Sequence, residues 1–589
     1  MKINPSIFCL IILVTLVTSA CNDEFLDRIP LGELNNETYW NSESSLEIYN
    51  NGIYNEAGDN TQYYFLLGYS GAAWSSAYYG MPWEDCMSDN GAPKDPDLDR
   101  YQIIATGKYI VPSNPNNRGW KWGLLRRINF FLDNYDKTPI SEEVKSQYAG
   151  EARLFRAWFY FDKVKHFGDV PWIAKPLETN SEELNASRDP RSMVMSHVLE
   201  DINYAIEHLP PQWSISEEVR FDRWVALALK ARLALYEGTY QKYHNLGGDA
   251  NKWFQEAANA AEELMTDGPF SLYSTGDPLN DYNHLFRQLD LGSISETIAY
   301  RKYLTGVLGH RYVGYQRAKA HGLTKDLVED YLCTDGKPIQ LSTMYKGDED
   351  LRDVFSNRDP RLRQTALHPE DSDKYLLLKD YNTGAYPRFP GMTGAFKTTT
   401  GYTMIKYFDV SDLLKGFGNE ENDAFLFRLG EVFLNFAEAK AELGTLTQDD
   451  LDKSINQLRD RVGMPHLTMD VEMDPKYTDS DLPAVLVEIR RERRIELAYE
   501  GFRYDDLMRW RMGEKLENRV LGMRIEGDIE TLYPGADIKT TEVDGKKYID
   551  VYQGSQFETR TFDPQKHYLF PIANSVIAQN PNIKQNPGW

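Results

Sequence analysis

The sequence predicts a mainly α protein: a scaffold of antiparallel helix pairs carrying a large, irregular, loop-rich half that faces a ligand. Three observations carry this. Blocks with helical periodicity recur, and each closes on glycine or proline. Alanine is frequent where such helices would touch. Between the blocks lie long stretches with little periodicity, rich in Gly, Pro, Asn, Asp and Tyr, at roughly 41–118, 268–423 and 520–589. Loops of that length in an ordered protein are uncommon and often functional.

The helical blocks follow in order. Glu143 to Phe167 carries aromatics on more than one face, which predicts burial among other helices, and Gly168-Asp169-Val170-Pro171 ends it. Asp189-Pro190 caps a helix running to Leu209, where Pro210-Pro211 stops it. Phe221 to Tyr240 and Lys252 to Met265 follow. Ala424 to Leu443, Asp449 to Val462 and Pro483 to Ala498 complete the set, with stops at Gly444, Gly463 and Gly501. Such pairs suggest a tetratricopeptide-like stack, with the strict 34-residue signature lacking. The scaffold is expected mainly at 120–266 and 424–512, and the binding parts mainly at 41–118 and 268–423. Because these interleave, residues 41–589 read as one unit.

One pattern in the last block sets a packing expectation. Glu488, Glu492, Glu496 and Glu500 recur four apart, as do Arg490 and Arg494. Like charges at that spacing destabilise an isolated helix. Each stripe should therefore meet opposite charges on neighbouring elements, with Arg428 and Arg503 as candidate members.

The N-terminus has the parts of a secretory signal: Lys2, an apolar run from Ile7 to Val17, then small residues Thr18-Ser19-Ala20 before Cys21. The run is too short to span a bilayer comfortably, which takes about 20 residues. Residues 1–20 read as a signal peptide, Cys21 as a lipid-attachment site of lipobox type (with Thr18 where leucine is usual), and 21–40 as a tether. Asn22-Asp23-Glu24 supplies an acidic start to that tether. The formal charge of -24 argues against nucleic acid and anionic membrane surfaces, which reward Lys/Arg patches. Beyond Cys9 and Cys21, only Cys86 and Cys333 remain, as one disulfide or two buried thiols.

Several motifs in order resemble the SusD/RagB family of outer-membrane nutrient-binding lipoproteins. They are Glu151-Ala-Arg-Leu-Phe-Arg-Ala-Trp-Phe-Tyr-Phe161 with Phe167-Gly-Asp-Val-Pro171, Asp359-Pro-Arg-Leu362, Arg428 to Ala439, Ile489 to Trp510, and Leu569-Phe-Pro-Ile572 with Gln585-Asn-Pro-Gly-Trp589. The resemblance covers nearly the whole mature length. It implies a tetratricopeptide-like scaffold, a surface lipid anchor in the outer membrane, and a SusC-type TonB-dependent transporter as partner. It also implies a ligand, typically an oligosaccharide and in some relatives a peptide or other nutrient.

Two segments are candidates for that ligand. From Tyr63 to Trp83 eight aromatics are interleaved with Gly, Ala and Ser, which would leave ring faces open to a sugar's apolar face. Trp74, Tyr78, Tyr79 and Trp83 are the candidate rings, and Asp85, Asp89 and Asn90 the candidate hydroxyl partners. In the second segment Tyr303, Arg311, Tyr312 and Tyr315 combine cationic donors with rings, which suits hydroxyl or carboxylate recognition. The catalytic motifs His-Glu-x-x-His, Walker loop, Gly-x-Gly-x-x-Gly and Gly-x-Ser-x-Gly are missing. Asp95-Pro-Asp97-Leu-Asp99 opens like a calcium loop, but Arg100 stands where glycine is required. The expectation is a binding protein with no catalytic residues, cofactor or metal. A surface glycosidase, or a helical scaffold that binds only proteins, are the alternatives.

Overall fold

The computed structural model describes residues 39–57, 67–69, 80–115, 119–213, 219–375, 386–416, 418–478 and 480–589. Its principal helices are α1 (Glu43–Ala57), α2 (Gly123–Leu132), α3 (Glu142–Phe167), α4 (Arg191–His208), α5 (Arg223–Tyr243), α6 (Ala250–Asp267), α7 (Tyr312–Ala318), α8 (Leu429–Glu442), α9 (Ala484–Glu496) and α10 (Arg503–Arg509). Strands β1 (Thr297–Arg301) and β2 (Ala424–Arg428) form an antiparallel pair. Strands β3 (Leu521–Arg524), β4 (Thr540–Val543) and β5 (Lys546–Asp550) form a small antiparallel sheet in the order β3-β5-β4.

The helices stack largely in chain order: α3 on α4, α4 on α5, α5 on α6, α6 on α8, and α8 on α9. This is a mainly α, tetratricopeptide-like fold. Local chemistry fixes the ends. The Ser141 side chain accepts from Val144 N at the start of α3, and Gly168, at φ 71°, closes it. Asp222 caps α5 through the N–H groups of Trp224 and Val225, and Asp249 caps α6 through Lys252 N. These side chains satisfy N–H groups that a helix start leaves without partners. In the α5/α6 pair, Ala226, Ala228, Ala231 and Ala234 lie buried, as do Ala257, Ala258, Ala260 and Ala261. At Gly238 the approach is closest: a Cβ there would stand 2.7 Å from the Phe254 ring.

Two expectations change. Ala424 to Leu443 is not one helix, because its first five residues are strand β2, paired with β1 from 120 residues upstream. The run Ala-Phe-Leu-Phe-Arg is buried on both faces, so it shows no two-residue alternation to mark it as a strand. Asp449 to Val462 is likewise broken into Gln448–Asp452 and Ile455–Arg461. Cys86 and Cys333 are two buried free thiols.

The charged stripes of α9 are buried and find the partners their spacing requires. Glu496 receives Arg361 Nη1 at 3.0 Å, Arg428 Nη1 at 2.8 Å and Arg461 Nη2 at 2.6 Å. Glu500 binds Arg428 and the buried Lys406, each at 2.8 Å or less. Glu296, just before β1, bridges Arg428 at 2.9 Å and Arg461 at 3.2 Å. On the other stripe Arg490 meets Glu442 at 2.9 Å, and Arg494 meets Asp326 at 2.8 Å and also Asp330. Arg503 holds Asp89 at 2.6 Å.

Glu496→Gln should unfold more easily. It removes the shared counter-charge of three buried guanidinium groups, a class of change that costs about 3–5 kcal/mol. Urea denaturation measures this. An acid limb should also appear. Burial raises the Glu438 carboxyl, but the Arg509 guanidinium outweighs it and holds the group down to about 2. Its contribution is complete above its ordinary value of 4.5, declines as pH falls below that, and is lost near 2. Glu438→Gln should flatten that part of the stability profile.

Candidate functional site

The two candidate segments converge. Tyr69 and Gly80 form an antiparallel bridge that closes the neck of the 70–79 segment. The Tyr69 ring is stacked between two rings of the second segment. Tyr312 lies 5.0 Å away at 11°, and Tyr303 lies 5.8 Å away at 19°. His310 packs on both Tyr69 and Tyr303, and Tyr407 meets Tyr312 edge-on at 5.2 Å. Trp83 adds an edge contact to Tyr312 at 5.9 Å and to His321 at 4.8 Å.

Backbone bonds lock the same junction. Tyr303 Oη donates to Tyr69 O at 2.7 Å, and Arg301 donates to Leu67 O. Gly68, at φ 91°, has no room for a side chain, since a Cβ would stand 2.7 Å from Tyr303 Oη. Asp423 receives the N–H of Tyr303 at 2.8 Å, and burial pushes its carboxyl up to about 6. Glu420 receives Val313 N and Gly314 N at 2.9 and 3.0 Å, fixing the start of α7.

The candidate residues fall into three groups. Trp74, Tyr78 and Tyr79 lie outside the described residues. Trp83, Tyr303, Tyr312 and Tyr315 are buried, where the sequence led us to expect open ring faces; the first three rings pack within the aromatic assembly, and Lys319 Nζ lies 5.9 Å from the Tyr315 ring centroid. Arg311, immediately before α7, stays half-buried. The polar trio expected to meet hydroxyls is instead committed to the scaffold. Asp85 is buried and accepts from Tyr499 N and Arg503 N, and burial raises its carboxyl to about 7. Asp89 pairs with Arg503 and Arg494, and Asn90 accepts from Arg494 at 2.8 Å.

A cavity of about 140 Å³, lined in part by Tyr69 and Tyr407 of the junction, lies between α3, α5, α8, α10, β2 and the Met81–Met87 turn. Ionic groups in its lining are paired: Arg232 with Glu431 at 2.6 Å, Lys165 with Asp505 at 2.6 Å, and Arg493 with Asp506 at 2.9 Å. Among the described residues no group of His, Cys, Asp and Glu has the arrangement of a metal site, and no helix is long and apolar enough to cross a membrane.

A stack of helix pairs bearing a buried aromatic junction defines a helical-repeat scaffold. The comparisons with known proteins specify which one. The sequence profile of the SusD family matches residues 288–589, and a second profile, described as "Starch-binding associating with outer membrane", matches residues 24–235. The chain belongs to the SusD family. It is 22% identical to a SusD-like protein of Bacteroides ovatus, over 97% of this chain and 96% of that one. It is 24% identical to SusD-like protein P25 of Formosa agariphila, over 85% and 89% of the two. The crystal structure of a SusD-like carbohydrate binding protein from Bacteroides fragilis superposes with a TM-score of 0.72 at 24% identity, covering 93% of this chain and all of that one. A laminarin binding SusD-like protein superposes with a TM-score of 0.59 at 20% identity, over 94% of this chain and all of its own.

The sequence missed His310, Tyr407 and the keystone position of Tyr69. Each is defined by partners far away in sequence. Two conservative variants separate the roles within the stack. The Tyr312 hydroxyl is buried and, among the described residues, has no hydrogen-bond partner. Tyr312→Phe should therefore stabilise the protein by about 1 kcal/mol. Tyr303→Phe removes the bond to Tyr69 O and should destabilise it by about the same amount. Chemical denaturation of both variants checks the opposite signs.

Proposed function

We propose that this protein binds an oligosaccharide at the cell surface and delivers it to a SusC-type TonB-dependent transporter, without transforming it. The observation that carries this reading is the meeting of two aromatic, glycine-containing segments at Tyr69. In this reading the buried stack of Tyr303, Tyr69 and Tyr312 is a rigid base. Trp74, Tyr78 and Tyr79, together with Arg311, would supply the contacts. Stacked rings resist reorientation, so the base itself adds little ordering cost to binding. The loop-bearing stretches 41–118 and 268–423 would then carry the ligand, and the helical stretches 120–266 and 424–512 the scaffold. A peptide or another nutrient is the less favoured cargo.

Support for carbohydrate as cargo comes from the relatives, whose names include carbohydrate and laminarin binding. Support for a non-catalytic role comes from the acids nearest the junction. Asp85, Asp89 and Asp423 each already accept hydrogen bonds from the scaffold. A glycosidase needs two carboxylates free to face the scissile bond. Attachment through Cys21 would hold the protein beside its transporter at high effective concentration.

Purified protein lacking residues 1–21 should bind members of a neutral and charged oligosaccharide panel and release no product. Trp74→Ala should raise the Kd of the bound member by about fivefold, the equivalent of about 1 kcal/mol for a ring contact. Equal affinity for Trp74→Ala, Tyr78→Ala and Tyr79→Ala would remove the loop from the site. Product formation would replace binding with hydrolysis as the function. Affinity capture of the full-length chain from its native membrane should bring down a barrel transporter, and Cys21→Ser should release the protein from the membrane fraction.

A further inference from the structure

The chain carries 89 acidic against 65 basic residues, yet two stretches contain no acid at all. Residues 297–325 hold Arg301, Lys302, Arg311, Arg317, Lys319 and Lys325. Residues 381–408 hold Arg388, Lys397 and Lys406. The fold lays the two against each other: Phe396 N donates to Arg317 O at 2.9 Å, and His321 N to Lys397 O at 3.4 Å. The second stretch is therefore an immediate neighbour of α7 and, through His321, of Trp83.

Most cations of the patch have structural partners. Lys406 binds Glu500, Lys319 lies 3.3 Å from Asp95, Lys302 lies 3.5 Å from Asp290, and Lys325 pairs with Glu329. Arg388 does not. It is 1% exposed, and its Nε, Nη1 and Nη2 are all buried without a hydrogen-bond partner among the described residues. Its bridge partner across the strand-like pairing is a second cation, the half-buried Lys397, which likewise has no ion pair among the described residues. Asp537 lies against Gly391, and its carboxylate faces Lys94 at 3.4 Å.

This arrangement is costly as it stands. An arginine stays charged in proteins, and its guanidinium presents five donors. Burying those donors without acceptors forfeits their hydration. Elsewhere in this chain, buried arginines such as Arg361, Arg428 and Arg461 are each paired with carboxylates. Access to Arg388 is through a thin cover. Gly394 is exposed and lies so close that a Cβ there would stand 2.8 Å from Nη1. Gly391 and Gly394, at φ 90° and 100°, bracket that cover.

We propose that Arg388, assisted by Lys397, is an anion-recognition site for a sulfate ester or uronate carboxylate carried on the oligosaccharide. The inference rests on the oligosaccharide reading given above and narrows it to acidic glycans. A planar guanidinium matches either oxyanion with two parallel hydrogen bonds, and the ammonium adds a point charge.

The test uses protein lacking residues 1–21, with inorganic sulfate, a neutral oligosaccharide, and sulfated and uronate oligosaccharides of matched length as probes. Wild type should bind a charged oligosaccharide about tenfold more tightly than its neutral counterpart, the worth of one charge-assisted contact. Arg388→Gln should abolish that preference and keep the neutral affinity. Arg388→Lys should restore part of it, and Lys397→Gln should reduce it. Lys252→Gln, on an exposed lysine of α6, should leave it unchanged. Because Arg388 has no partner to lose, Arg388→Gln should melt at or above the wild-type temperature, which separates a lost site from a lost fold. Equal binding of the charged probe by wild type and Arg388→Gln overturns the proposal. So does a site that takes inorganic sulfate as tightly as the charged oligosaccharide, which would make the free anion its ligand. Binding of neutral sugars with no preference for charge overturns this inference and leaves the oligosaccharide reading intact. Failure of every sugar, with sulfate still held through Arg388, overturns the oligosaccharide reading instead.

Discussion

The rest of the structure hangs on one buried carboxylate, Glu496, held by Arg361, Arg428 and Arg461. These guanidinium groups come from distant parts of the chain: a loop motif, the end of β2, and a short helix after α8. Removing so many charges from water is expensive, and such a cluster persists only when each donor and acceptor is satisfied. Its geometry therefore fixes where four segments sit relative to α9. Glu296, shared by Arg428 and Arg461, ties the start of β1 to the same point. The β1/β2 pair is thereby set, and Tyr303 lies just beyond β1.

The end of α9 carries the constraint to the other side of the junction. Tyr499 adopts a left-handed backbone at φ 61°, and its N–H binds Asp85. Gly501 follows at φ 82°, where a side chain would strike Met81 O. These two contacts seat the Met81–Met87 turn, whose preceding residue, Gly80, bridges to Tyr69. The aromatic stack is thus clamped from both ends by one ion cluster.

How much of this was legible in the sequence follows from the range of each interaction. The helices of the stack were readable because their signals are local: a 3.6-residue period, and stops at glycine and proline. The charged stripes of α9 were readable as an unmet demand, since spacing alone says that Glu492, Glu496 and Glu500 need partners. Strand β2 was not readable, because its identity depends on β1. Asp85 and Asp89 looked like hydroxyl partners because they follow aromatics directly. Their true partners stand 414 residues away, at Tyr499 and Arg503. Tyr303 and Tyr69 are separated by 234 residues, so no local pattern could say which ring faces would be covered.

The same reasoning separates two kinds of buried arginine. Arg428 and Arg461 sit where the chain itself supplies carboxylates, and their charge is used up in holding segments together. Arg388 sits in a neighbourhood from which acids are excluded over two adjoining stretches, in a chain otherwise rich in them. A protein with a surplus of carboxylates has many ways to neutralise one guanidinium. Leaving this one without an acceptor, beside a second cation and beneath a glycine, keeps its hydrogen-bonding capacity unspent. Unspent capacity of this kind costs folding free energy and favours binding of a group that can restore the missing bonds. In the scaffold, charge is matched and therefore structural; at Arg388 it is unmatched, and that is what the proposed anion site would use.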